Sequence, residues 1–163
     1  MDDEPIAAQA VGPADVADVR DFLARCDLTL AGLDEPAVRL WAVRAASGAV
    51  VGTTGFELST DGRHALLRSV AVDPTLRASG AGTRLAMFAL GAAQDAGADR
   101  AWLFSRRSGP FWQRLGFVPA ELSTLAAVLA DTTQVTLFRA SGQLEREVAW
   151  SRCLRGGHPR DAV

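Results

Sequence analysis

Val16, Val19, Phe22 and Leu23 recur at the three- and four-residue steps of one helical face, which predicts a helix over 14–24. A short apolar run over 6–11 precedes it and stops at Gly12-Pro13, so the chain opens as strand, then helix. The stretch 27–36 is rich in turn formers yet carries Leu28, Leu30 and Leu33, and fits either a short helix or a loop that packs. Strand-like content follows: Leu40, Trp41 and Val43 within 38–45, a Ser47-Gly48 turn, then Val51, Thr53, Thr54 and Phe56 within 50–58. A second turn at Thr60-Asp61-Gly62 leads into a β-rich run over 64–72. It ends at Asp73-Pro74, where proline has no N–H to continue a ladder. Three successive strands make a meander.

The pattern then changes period. Leu85, Phe88, Ala89 and Ala92 share one face of a predicted helix over 83–96, with Gly97 where a C-terminal cap belongs. A short buried strand over 101–104, a helical turn or two over 110–115 and a strand starting at 116–119 come next. Residues 121–129 have helical periodicity, 134–138 fit neither period, and 147–154 alternate as a final strand with Val148, Trp150 and Arg152 opposite Ala149, Ser151 and Cys153. No repeat or linker divides the chain, so the expectation is one mixed α/β domain over 1–154 with a disordered tail over 155–163.

Composition narrows the function classes. At 163 residues, 48% apolar and 22% charged, the chain can bury a core without disulfides or metals. A net charge of −2 gives no electrostatic footprint for nucleic acid. Cys26 and Cys153 lie far apart without CxxC spacing, so no metal site is expected and both thiols are expected to be reduced. The acidic start Met1-Asp2-Asp3-Glu4 is unlike a secretory signal, and no apolar stretch approaches the roughly 20 residues that cross a bilayer. No membrane partner is expected, and the expected location is the cytoplasm.

The chemistry-bearing segment is 66–97: a strand, Asp73-Pro74, the loop Arg77-Ala78-Ser79-Gly80-Ala81-Gly82, then a helix near Thr83. Glycines without Cβ let backbone approach a ligand, and unpaired N–H groups at a helix start face an anion with the positive end of the dipole behind them. Arg77 can add a charge-assisted contact to phosphate. The alternative is a turn that merely joins a strand to a helix. A dinucleotide fingerprint is excluded because its third glycine would fall at Leu85, and a Walker loop because no Gly-Lys-Ser/Thr triplet exists.

This order of elements resembles the GNAT superfamily of N-acetyltransferases, whose central motif is a strand, a bulge, an Arg/Gln-x-x-Gly-x-Gly/Ala loop and a helix. A second match, Ser108-Gly109-Pro110-Phe111-Trp112-Gln113-Arg114-Leu115-Gly116-Phe117, is similar to the family's Phe-Tyr-x-x-Leu-Gly-Phe segment that borders coenzyme A. The resemblance implies a strongly bent, mostly antiparallel sheet flanked by helices and splayed open after Asp73. Acetyl-CoA would be the co-substrate, with backbone at Val70, Ala71 and Val72 pairing the pantetheine and N–H groups from Arg77 to Thr83 holding the pyrophosphate. Ser105, Phe111 and Trp112 complete the coenzyme residues it implies. Residues 65–72 with the Phe-Trp-x-Arg-Leu-Gly-Phe segment look most like the arsenic-resistance N-acetyltransferase group, which implies a small, amino-acid-like amine acceptor; the match is less clear from Glu121 on.

Acetyl transfer to an amine needs a neutral nitrogen, a polarised thioester carbonyl and an exit for the thiolate. Glu57, on the strand beside the coenzyme strand, is the candidate base, set against an exposed strand-end carboxylate. Arg68 is the candidate for binding an acceptor anion, set against a salt bridge to Glu57. His64 is a further possible base at the mouth of a turn. The chain contains no tyrosine, so the family's proposed general acid has no counterpart, and Trp112 in its place cannot ionise usefully. Ser105 or Ser108 could donate a hydrogen bond there. Against the enzyme stands a module of the same fold that senses acyl-CoA without turnover. Trp41, Trp102 and Trp150 leave room for an apolar homodimer face, although core packing explains them equally well.

Overall fold

The computed structural model describes residues 7–154. In chain order the elements are β1 (Gln9–Ala10), α1 (Val16–Arg25), β2 (Val38–Arg44), β3 (Val50–Leu58), β4 (His64–Val72), α2 (Ala81–Asp95), β5 (Arg100–Phe104), α3 (Gly109–Arg114), β6 (Val118–Ala120), α4 (Leu122–Val128), α5 (Thr133–Ser141) and β7 (Ala149–Cys153). The strands form one open sheet in the order β1-β2-β3-β4-β5-β7-β6. Every neighbouring pair is antiparallel except β4 and β5. The meander read from the sequence is β2-β3-β4.

Side chains alternate between two helical layers. Phe56, Ala65, Leu67, Ala101 and Leu103 meet Ala86, Ala89, Leu90 and Ala93 of α2 on one face, with Trp112 of α3 in the same cluster. On the other face Leu40 and Ala42 meet Val19, Phe22 and Leu23 of α1, while Leu66, Trp102 and Ala149 meet Leu125, Ala126 and Val135. Small alanines on α2 let the helix lie close to the sheet. The three strand tryptophans pack within the chain: Trp102 and Trp150 are buried, and the Trp41 ring lies 5.3 Å from Phe88 and 5.7 Å from Phe56.

Several boundaries differ from those the pattern predicts. Residues 27–36 form turns with no helix, with Asp27 and Gly32 in left-handed conformation. The helix expected from Thr83 starts at Ala81, inside the glycine motif, because left-handed Gly80 (φ 80°) is its N-cap. Residues 134–138 lie in α5, and β7 is shorter than 147–154. Ile6 and the tail over 155–163 lie outside the described residues.

The sheet opens earlier than the resemblance implies. The β4–β5 pairing joins His64–Leu66 to Arg100–Trp102 and stops, so the strands part after Leu66 rather than after Asp73. The cause lies in β4 itself. Thr53 faces Ala71 while Gly55 faces Arg68, so β4 carries one residue more than β3 across this interval, and Ser69 takes φ 59°. Such a bulge bends its strand and re-aims the following residues.

Candidate active site

The opened strands bound a cleft of about 750 Å³, within the usual size of small-molecule sites. Leu67, Arg68, Ser69, Val70, Ala71 and Val72 line one side, and Leu103 to Ser108 the other. Beyond Leu66, β4 has β3 on one edge and no ladder to β5 on the other, so its backbone there is available to a ligand.

One end of the cleft is made by the glycine motif. Asp73 accepts from the N–H and hydroxyl of Thr75 at 2.9 and 2.6 Å and so caps a 3-10 turn over Pro74–Ser79. These two bonds, the hydroxyl's the larger effect, hold its carboxyl below the usual range. Gly80 then reverses the backbone into α2, whose first capping bond is Arg84 N–H to Gly80 carbonyl at 3.2 Å. The N–H groups of Ala81, Gly82 and Thr83 precede that bond and are the ordinary unpaired donors of a helix start. Arg77, Gly82, Phe111 and Trp112 line the cleft here, whereas Ser79, Gly80, Ala81 and Thr83 lie outside its lining. A Cβ on Gly82 would stand 3.7 Å from Val72 and 3.9 Å from Phe111, which marks how closely the loop approaches the cleft wall. These residues fit an acyl-CoA: a dipole-backed cradle for pyrophosphate joined to an open strand edge long enough for amide pairing.

Trp112 is a core residue as much as a wall residue. Its ring is buried between Phe111 and Phe117, with centroids 4.9 and 5.3 Å away. Ser105 lines the cleft; its hydroxyl accepts from Ser108 N–H at 3.0 Å and its carbonyl from Trp150 Nε1 at 2.9 Å. His64 stands away from the cleft, with Nδ1 accepting from Trp102 Nε1 at 3.0 Å.

Glu57 and Arg68 are brought together, with Arg68 in the cleft lining and Glu57 beneath it. The ion pair weighed against anion binding is present at 3.2 Å, with the two side chains 1% and 0% exposed. Glu57 takes three further hydrogen bonds, from Thr133 N–H at 2.7 Å, Thr133 hydroxyl at 2.8 Å and Gln134 N–H at 3.3 Å. It is thus the anion at the N-terminus of α5, with four donors on two oxygens, and it does not line the cleft. It is far from the exposed carboxylate that the other sequence alternative described. Burial pushes the Arg68 guanidinium down from its usual value, and the facing carboxylate pulls it back up. Arg68 Nη2 and Gln134 Oε1 are buried without a protein partner among the described residues.

The sequence reading missed the far end of the cleft. Cys26, Asp27, Leu28 and Thr29 contribute from the loop after α1, and Gln134, Phe138, Gln143 and Glu147 from the last third of the chain. The signal for Glu147 was its place just before a strand that pairs with β5, but that pairing is long-range. Among the described residues no cluster of three or more His, Cys, Asp or Glu could hold a metal ion, and no helix is long and apolar enough to cross a membrane.

The model of the Acetyltransferase (GNAT) family matches residues 9–117. No curated protein matches the chain. Among solved structures, N-acetylglutamate synthase from Neisseria gonorrhoeae, complexed with coenzyme A and N-acetyl-glutamate, is similar with a TM-score of 0.68 at 15% identity, covering 94% of this chain and 36% of that one. This chain therefore spans little more than a third of that enzyme. An acetyltransferase of GNAT family from Staphylococcus aureus is similar at 0.68 and 13% identity, covering 91% and 100%. Tetrahymena GCN5 is similar at 0.69 and 12%, covering 94% and 98%. At these identities the structures speak for the fold.

Proposed function

The chain belongs to the Acetyltransferase (GNAT) family, and from that premise we propose that it is an acyl-CoA-dependent acyltransferase that moves acetyl from acetyl-CoA to the primary amine of a small, amino-acid-like acceptor. The observation that carries this reading is the parting of β4 and β5 after Leu66 over a cleft that meets the start of α2. Backbone of Val70, Ala71 and Val72 would pair the pantetheine, the first N–H groups of α2 with Arg77 would hold the pyrophosphate, and Phe111 would flank it. Acetyl-CoA supplies the activated acyl group. The likeness of 65–72 to the arsenic-resistance N-acetyltransferase group supports an acceptor of the amino-acid class, as does the polar far end of the cleft. A cytoplasmic location belongs to the same proposal.

The protein's own part is positioning. A neutral amine held against the thioester carbonyl gains most of its rate from proximity and orientation. A thiol with an ordinary pKa near 8.5 can leave as thiolate and be protonated by water, so no tyrosine is required. Glu57 and Arg68 serve this reading as positioning residues that lock α5 against β4. The absence of any ionising side chain at Trp112 favours the second reading, an acyl-CoA sensor.

The test is coenzyme A release by purified protein supplied with acetyl-CoA and a panel of amino acids, with Gly82→Trp as control. Turnover on an amino acid that disappears in the control supports the enzyme. Acetyl-CoA binding without acetylation of any amine supports the sensor, and no binding at all removes both.

A further inference from the structure

Glu147 is a carboxylate in the cleft wall that no role above uses. Its side chain is 6% exposed, yet it lines the cleft together with Gln143, Arg106 and Arg107. Gln143 Nε2 donates to Glu147 Oε1 at 2.9 Å, and Arg106 Nε stands 3.5 Å from the same oxygen. Both contacts fall on Oε1, and Oε2 has no protein donor among the described residues. Arg106 is half exposed, so one partner of this pair is sunk in the wall while the other reaches solvent. The contrast with Glu57 is chemical: four donors saturate Glu57, while Glu147 keeps an oxygen to offer.

We propose that Glu147 and Arg106 form the acceptor-recognition pair of this enzyme, Glu147 accepting from the nitrogen of an α-amino acid, which enters as ammonium and reacts as the neutral amine after its proton has passed to water, and Arg106 holding its carboxylate. The inference rests on the acetyltransferase reading above and names the site of its acceptor. Opposite charges 3.5 Å apart present the mirror image of an α-amino acid, whose nitrogen and carboxylate carbon are separated by about 2.5 Å from standard bond lengths. A nearly dry carboxylate with one open acceptor favours a nitrogen that donates to it, because a group without a donor would leave it unpaired. The residues are also held in place. Ser105 N–H donates to Val148 carbonyl at 2.9 Å, which ties the strand end carrying Glu147 to the loop carrying Arg106. Gln143 fixes the rotamer of the carboxylate from the end of α5.

The experiment measures steady-state acetylation of glycine, L-alanine, L-glutamate and L-phenylalanine, together with acetyl-CoA affinity by calorimetry, for the wild type, Glu147→Gln and Glu147→Asp. Glutamine keeps the shape and can still accept from Gln143, so folding should be unaffected, with an unchanged melting temperature as the check. The expected result is a KM for the amino acid raised about 30-fold in Glu147→Gln, the value of one charge-assisted hydrogen bond. Acetyl-CoA affinity should stay within about twofold, and Glu147→Asp should lie between the two. Wild-type turnover whose KM survives Glu147→Gln overturns the recognition pair alone. Equal loss of acetyl-CoA affinity also overturns it, since the residue would then serve the coenzyme. A wild type that binds acetyl-CoA but neither binds nor acetylates any of the four overturns the amino-acid acceptor and this assignment together.

Discussion

Two glycines in one loop do different work, and substitution separates them. Gly80 sits at φ 80° with open space around it, the nearest atom to a built Cβ being Arg84 Nη1 at 3.8 Å. Gly80→Ala should therefore cost about 1 kcal/mol through backbone strain alone, visible as a lower denaturation midpoint. Gly82 is helical, and its Cβ would make ordinary contacts. Gly82→Ala should leave stability equal or slightly higher while weakening acetyl-CoA binding, a split that calorimetry beside urea titration reads directly. The buried ion pair makes a sharper case. Removing one partner strands the other without water, so Arg68→Ala should cost about 3–5 kcal/mol of folding stability. The glycine spacing was plain in the sequence because each position needs the absence of a side chain. The fate of Arg68 and Glu57 was only half legible: their pairing follows from neighbouring strands, but the burial comes from Thr133 and Gln134, 76 and 77 residues beyond Glu57 in the chain.

The strands and α2 were legible because each satisfies its own period, whereas α5 was not. Val135, Leu137 and Phe138 are as strand-like as helical, and what decides is the anion at the helix start. Thr132 adds a local cap, accepting from Val135 N–H at 3.4 Å. The loop over 27–36 bears on the same helix end: a Cβ on Gly32 would come within 2.6 Å of Thr133 Oγ1, and its φ is +67°. Gly32→Ala should push Thr133 off Glu57 and loosen α5, so amide hydrogen exchange in α5 should accelerate more than in α2. A second element, the 3-10 turn over Pro74–Ser79, carries a pH dependence through Asp73. Its folded pKa lies below the unfolded one, so its contribution is present above the ordinary carboxylate range, near 4, and is lost as pH falls through the lowered value. The melting-temperature gap between wild type and Asp73→Ala should be constant from pH 7 to about 5 and close toward pH 3.

The described residues form two half-sheets joined along one short parallel ladder, His64–Leu66 with Arg100–Trp102, and beyond that ladder the two strands part over the cleft. The parting itself could not be placed from sequence, since a bulge at Ser69 leaves no mark in composition, and the resemblance put it at Asp73 where the strand merely ends. The architecture predicts a large response to ligand. A co-substrate that pairs with the free edge of β4 while touching α2 and α3 binds only the folded chain, so it stabilises by mass action. At a hundredfold excess over Kd the gain is about 2.7 kcal/mol, or roughly 5–10 °C in Tm for a chain of this size. Acetyl-CoA should give that shift in the wild type and none in Gly82→Trp, whereas Glu147→Gln should keep it in full. A shift retained by Gly82→Trp would mean that the coenzyme does not lie against the start of α2, and the cleft would then need a different occupant at that end.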